Sequence, residues 1–144
     1  MSNYTHILAG VDLSDESQQV LERAANLAVA NQAKLSVVHI VEPLTFAYGG
    51  DIPVDLSEIQ EQLHKQAREQ LTTLIEPYQV SADNLHVLVG QPTTEIHDLA
   101  DNLDIDLIVV GSHGRKGLAL LLGSTANGIL HGAKTDVLAV RVKD

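Results

Sequence analysis

Apolar residues recur along this chain in two alternating rhythms. Thr5 to Val11 (THILAGV), Lys34 to Val41 (KLSVVHIV), Leu85 to Val89 (LHVLV), Ile105 to Val110 (IDLIVV) and Asp136 to Val142 (DVLAVRV) are short runs rich in Val, Ile and Leu. Such runs predict strands covered on both faces. Between them the apolar positions fall three or four residues apart: Val20, Leu21, Ala24, Leu27 and Ala28, then Ile59, Leu63, Ala67, Leu71, Leu74 and Ile75, then Ile96, Leu99, Ala100 and Leu103. That spacing predicts amphipathic helices. Ser14 reads as the cap of the first, with Asp15 and Glu16 in its opening turn, and the helix ends near Asn31. The second runs from about Ser57 to Pro77, Pro92 and Thr93 open the third, and a short helix runs from Ser124 to about His131.

Strands and helices of these lengths, with no internal repeat and no linker, predict a single α/β domain over residues 1–144. Its fold class is one doubly wound open sheet of five parallel strands, order 3-2-1-4-5, with helices on both faces. Residues Glu42 to Ser57 form a long connection carrying Phe46, Tyr48, Ile52 and Val54. Loops of that length usually have a task, and a site or dimer contact is the one expected here.

Composition narrows the function. The chain has 144 residues, an apolar share of 44%, one Phe, no Trp and no Cys. An aliphatic core follows, and disulfides, thiolate zinc sites and cysteine nucleophiles are excluded. No apolar stretch opens the chain as a secretory leader would, and none is long enough to span a bilayer, so a soluble cytoplasmic protein without a membrane partner is expected. Nine Lys and Arg against 19 Asp and Glu give a formal charge of −10. Nucleic acid binding relies on cationic side chains, so no nucleic acid partner is expected.

In a sheet of this winding, ligands sit beyond the carboxyl ends of the strands, where the winding reverses. Two such ends carry the chemistry. The first strand finishes in Gly10-Val11-Asp12. The fourth finishes in Val110-Gly111-Ser112-His113-Gly114-Arg115-Lys116-Gly117 and continues to Gly123-Ser124-Thr125. Gly111 and Gly114 let backbone approach a ligand closely, and Gly123-Ser124-Thr125 stands at a helix start, where unpaired amides attract anions. Asp12 is placed to accept from ribose hydroxyls, and Arg115 and Lys116 are the cations nearest the loop.

Blander readings stand beside these. The glycines may serve only turns and caps, Asp12 may only cap a helix, Arg115 and Lys116 may be a solvated pair, and His113 a surface residue. His39, on an apolar strand, reads as a satisfied structural histidine. There is no GxxxxGK[ST] P-loop, no GxGxxG after the first strand, and no aspartate ending the third strand as a phosphoacceptor would need.

HILAGVDLSDES, VVHIVEP and DLIVVGSHGRKGLALLLGSTANGILHGAKTDVLAVRV together resemble the universal stress protein family. The resemblance implies its adenine nucleotide alpha hydrolase-like fold. Members that bind ATP carry GxxG, a spacer usually of nine residues, then Gly with Ser or Thr. Here Gly111 and Gly114 are followed by eight residues and Gly123-Ser124. The shorter spacer leaves the roles of Arg115, Lys116 and Gly117 open. The branch resembling universal stress protein A lacks these glycines, which places this chain with the binding branch.

Carried over by position, the resemblance implies that Gly10, Val11 and Asp12 lie along adenine and ribose, with Ile40 and Val110 lining the base pocket. Gly111, His113, Gly114 and Arg115 would border ribose and phosphates, and Gly123, Ser124 and Thr125 would donate to the phosphates. The implied ligand is ATP or another adenine nucleotide, optionally with Mg2+, with no catalytic residue and no protein metal site assigned. Family members commonly pair through the last strand, here Val137 to Val142, so a homodimer is expected. The leading expectation is a nucleotide-dependent stress-response regulator with little or no turnover. The alternatives are a slow ATPase or phosphotransferase using His113, and an interaction module with a vestigial site.

Overall fold

The computed structural model describes residues 4–42, 56–112 and 124–141, with the backbone alone at 56, 57, 124 and 125. Five parallel strands, β1 (His6–Gly10), β2 (Lys34–Val41), β3 (Leu85–Val89), β4 (Leu107–Gly111) and β5 (Asp136–Val140), form one sheet in the order β3-β2-β1-β4-β5. Four helices surround it: α1 (Ser17–Asn31), α2 (Leu56–Ile75), α3 (Pro92–Asn102) and α4 (Ser124–Gly132). The fold class and strand order match the expectation from the sequence.

Alternation along each strand divides the core in two. Ile7, Ala9, Val37, Val87 and Val109 point to one face, where Val20, Leu21 and Ala24 of α1 and Ala67, Leu71 and Ile75 of α2 cover them. Leu8, Val38, Ile40, Ile108 and Val110 point to the other, under Ile96, Leu99 and Ala100 of α3 and Ala126 and Ile129 of α4. Each fully buried aliphatic side chain contributes roughly 1.5–3 kcal/mol, so both faces are needed. Aliphatic branching at nearly every central position lets one pleated sheet serve two helical layers.

Several boundaries differ from those expected. Ser14 does not cap α1: its hydroxyl and amide are both taken by Asp12, and the helix begins at Ser17 with Glu16 at the cap position and no side-chain cap bond. β4 begins at Leu107, because Ile105 donates back to the carbonyl of Ala100 at 2.9 Å in the turn after α3. Pro92 does open its helix, but the capping side chain is Gln91, which accepts from the amide of Thr94 at 2.8 Å. The stripe expected along α2 is only partly buried. Ala67, Leu71 and Ile75 are covered, while Ile59 and Leu63 are exposed. Residues 43–55, with Phe46, Tyr48, Ile52 and Val54, and Val142 of the last run lie outside the described residues.

Candidate functional site

Because β1 and β4 are neighbours, paired through Ile7 with Leu107, Leu8 with Ile108 and Ala9 with Val109, their carboxyl ends lie side by side. The chain leaves β1 for α1 on one face of the sheet and leads from β4 to α4 on the other. The winding reverses here, and the two tips bound a crevice.

The β1 tip is built by hydrogen bonds that hold a tight turn. Val11 is buried, and its amide extends the ladder to the carbonyl of Val38 at 3.0 Å. Asp12 follows, and its Oδ1 accepts from the amide of Ser14 at 2.9 Å, from the Ser14 hydroxyl at 2.5 Å and from the Ser17 hydroxyl at 3.1 Å. Between them Leu13 adopts a left-handed backbone, φ +63°, which side chains with a Cβ disfavour. An Asx turn of this kind holds the Asp12 carboxylate at the mouth of the crevice instead of releasing it to solvent.

Behind the tips lies an apolar wall. Ile40 and Val110 share the face covered by α3 and α4, both in the core cluster with Ile96. Gly10 has a packing reason of its own: a Cβ there would stand 3.3 Å from both Ile96 Cδ1 and Val110 Cγ1. At the β4 tip, Gly111 pairs with Val140, and the buried Ser112 donates its amide to the Val140 carbonyl at 2.8 Å. Backbone at Ser124 and Thr125 begins α4, whose first amides have no partner within the helix by construction. His113, Gly114, Arg115 and Gly123 lie outside the described residues.

The donor set suits an adenine nucleotide: branched aliphatic residues for a flat base, a fixed carboxylate for hydroxyl donors, and a helix start for anionic phosphate. Among the described residues no group of three or more His, Cys, Asp or Glu is gathered to hold a metal ion.

Three contributors escape a motif reading. Ser14 and Ser17 hold the Asp12 carboxylate, and the signal was the D-x-S-x-x-S spacing. His39 is buried on β2, and its Nδ1 lies 2.9 Å from the Val11 carbonyl. It has a satisfied hydrogen bond, as expected, but one aimed at the β1 tip. Elsewhere, a cavity of about 300 Å³ lies between α3 and the turn after α4, lined among others by His97, Asp98, Asp101 and Lys134. Its ion pair, Lys134 to Asp101 at 3.9 Å, is exposed, and none of the residues at the strand tips lines it.

Comparison with known proteins gives a consistent result. The model of the universal stress protein family matches residues 3–141. A relative in Coxiella burnetii, universal stress protein A homolog 1, is 46% identical over 99% of both chains. Among solved structures, universal stress protein UspA from Lactobacillus plantarum superposes with a TM-score of 0.78 at 28% identity, over 98% of this chain and 100% of that one. A universal stress protein in complex with cAMP superposes with a TM-score of 0.66, also at 28% identity, over 99% of this chain and 100% of that one.

Proposed function

The chain belongs to the universal stress protein family, a stress-response family, and from that premise we propose that it is a regulatory protein that binds ATP or a related adenine nucleotide at the β1–β4 crevice and holds it with little or no turnover. The observation that carries this reading is the placement of the fixed Asp12 carboxylate beside the Gly111-Ser112 tip at the winding reversal. Adenine would lie against Ile40 and Val110, with Gly10 and Val11 along its edge. Asp12 would accept from the ribose hydroxyls. Gly111, His113, Gly114 and Arg115 would border ribose and phosphates, and Gly123, Ser124 and Thr125 would supply donors to the phosphates. Mg2+, when it accompanies the nucleotide, would be held mainly by phosphate oxygens and water.

Asp12 supports holding over cleavage. Its Oδ1 already serves three donors, which suits a fixed acceptor better than a base that must turn toward water. The bound nucleotide would then act through the dimer or partner surface. The β5 edge, Val137 to Val142 as expected from the sequence, offers unpaired backbone for pairing with a second copy in a cytoplasmic homodimer. Among the described residues no helix is long and apolar enough to cross a membrane.

The test is to denature the purified protein and identify by chromatography any nucleotide released, then to measure thermal shifts with ATP, ADP, AMP and cAMP. A ligand at 100 times its dissociation constant adds about 2.7 kcal/mol of stability. A shift with at least one of these, lost in Gly114→Val or Gly123→Val, supports the reading. No shift with any of them overturns it and favours an interaction module with a vestigial site.

A further inference from the structure

We propose that His39 is a positioning residue for the nucleotide site, setting the ribose preference of Asp12 through the backbone of Val11; this rests on the nucleotide-binding reading above. His39 lies one strand away from the β1 tip, on the face covered by α1 and α2, as its alternation with Val38 requires. It is 9% exposed. Its Nδ1 lies 2.9 Å from the Val11 carbonyl, and a carbonyl only accepts, so Nδ1 carries the proton and donates. An imidazole at an otherwise aliphatic position is costly to bury without such a partner.

The bond falls where regular pairing stops. Val11 donates its amide to Val38, which extends the ladder, but its carbonyl points out of the ladder to a side chain. The next two residues are Asp12 and the left-handed Leu13. With both polar groups of Val11 tied to β2, the peptide joining Val11 to Asp12 has one orientation. The three bonds to Asp12 Oδ1 then fix the carboxylate relative to that peptide. Ser14 and Ser17 hold the carboxylate to α1, and His39 holds the same turn to the sheet. Removing the imidazole donor frees the Val11 carbonyl to rotate and moves the carboxylate relative to Ile40 and Val110. A base bound on that wall would keep its contacts while its ribose hydroxyls lost their acceptor.

The consequence is specific to hydroxyl recognition. Calorimetric titration of the full chain with ATP and with 2′,3′-dideoxy-ATP gives a ratio of affinities that reports the ribose contacts. In the natural protein ATP binds more tightly. In His39→Leu the ratio falls about three- to tenfold, the worth of one hydrogen bond, while the dideoxy nucleotide binds within about twofold of its original affinity. His39→Asn, whose Nδ2 stands where the imidazole Nδ1 does, restores the ratio. His39→Gln, whose amide reaches the Nε2 position instead, does not, and it replaces the leucine variant should that fail to fold. An unchanged ratio in both His39→Leu and His39→Gln overturns the proposal, as does an equal loss for the two nucleotides, which would mark a general structural role. If the natural protein binds both nucleotides equally, the Asp12 assignment is wrong and His39 has nothing to position. If it binds neither, the nucleotide reading itself fails.

Discussion

The carboxylate of Asp106 accepts from both the amide and the hydroxyl of Thr5, at 2.8 and 3.0 Å, across 101 residues of chain. A third bond comes from the amide of His6 at 3.1 Å. The entrance of β1 is thus fastened to the entrance of β4, at the end of the sheet opposite the nucleotide crevice. Partial burial would raise the Asp106 pKa, but the backbone amides of Thr5 and His6 and the Thr5 hydroxyl outweigh it and hold it below its ordinary value. A depressed folded pKa contributes stability that is present above the unfolded value, near 3.8, and is lost as pH falls through the folded value. Asp106→Ala should destabilise the protein by about 1–2 kcal/mol at pH 7, the loss of charge-assisted bonds to partly exposed backbone. The deficit should shrink below about pH 4. Urea unfolding at pH 7 and pH 3.5 checks both; a deficit that does not change with pH would dissociate the effect from the carboxylate.

Two histidines act in a higher window. His6 donates from Nδ1 to the Leu103 carbonyl at 3.1 Å and accepts from the Ser36 hydroxyl at Nε2, 2.7 Å away. Burial lowers its pKa, with Lys34 adding to the effect, against the opposing pull of the Leu103 carbonyl, Asp106 and Asp104. His86 is lowered by burial first, then by Arg68, His6 and Lys34. Both are favoured neutral in the fold, so their contribution is fully present above the unfolded value of about 6.5 and is lost as pH falls through the lowered folded values. Stability should therefore decline between about pH 6.5 and pH 5, before Asp106 begins to titrate. The double variant His6→Asn, His86→Asn should flatten that part of the pH profile, and a slope that survives it would locate the proton uptake elsewhere.

The layers of the fold were legible because β2 and β3 are unbroken aliphatic runs bounded by polar residues, and their ends in the structure are those read from the chain. Helix α2 shows where periodicity overreaches. It has 20 residues, roughly 30 Å, while the strands it covers, β3 and β2, have 5 and 8, about 17 and 26 Å. The helix outruns the sheet, so its first apolar positions have nothing beneath them. Leu71→Ala should cost about 2–5 kcal/mol, and Ile59→Ser or Leu63→Ser within about 0.5 kcal/mol of zero. A cost at Ile59 or Leu63 comparable to that at Leu71 would mean these residues are covered. At the site, Asp12 and the glycines were visible as residue types in sequence. The turn that fixes Asp12 was not, because Ser14 looked like a helix cap until its hydroxyl was seen bound to Asp12. His39 was hidden for a related reason: its partner is a backbone carbonyl 28 residues earlier, and no side-chain pattern marks such a bond.

Helices α3 and α4 meet through glycine, and this gives the sharpest stability test. A Cβ at Gly128 would stand 2.6 Å from Thr93 Oγ1, 3.2 Å from its Cγ2 and 3.4 Å from its Cβ. Rotating Thr93 exchanges one close branch for another, so the clash is not relieved by a rotamer change. Helix propensity alone would make Gly128→Ala stabilising by about 1 kcal/mol. Overpacking a helix contact costs about 1–3 kcal/mol, and the net expectation is a modest loss. Thr93→Ala removes both branches and leaves only the ordinary contact at Cβ. In that background Gly128→Ala should turn neutral or stabilising, so the two substitutions should couple favourably by at least about 1 kcal/mol in a double-mutant cycle measured by urea unfolding. Additive effects would show that Gly128 is not the point where the two helices touch, and that the small side chain serves some other end.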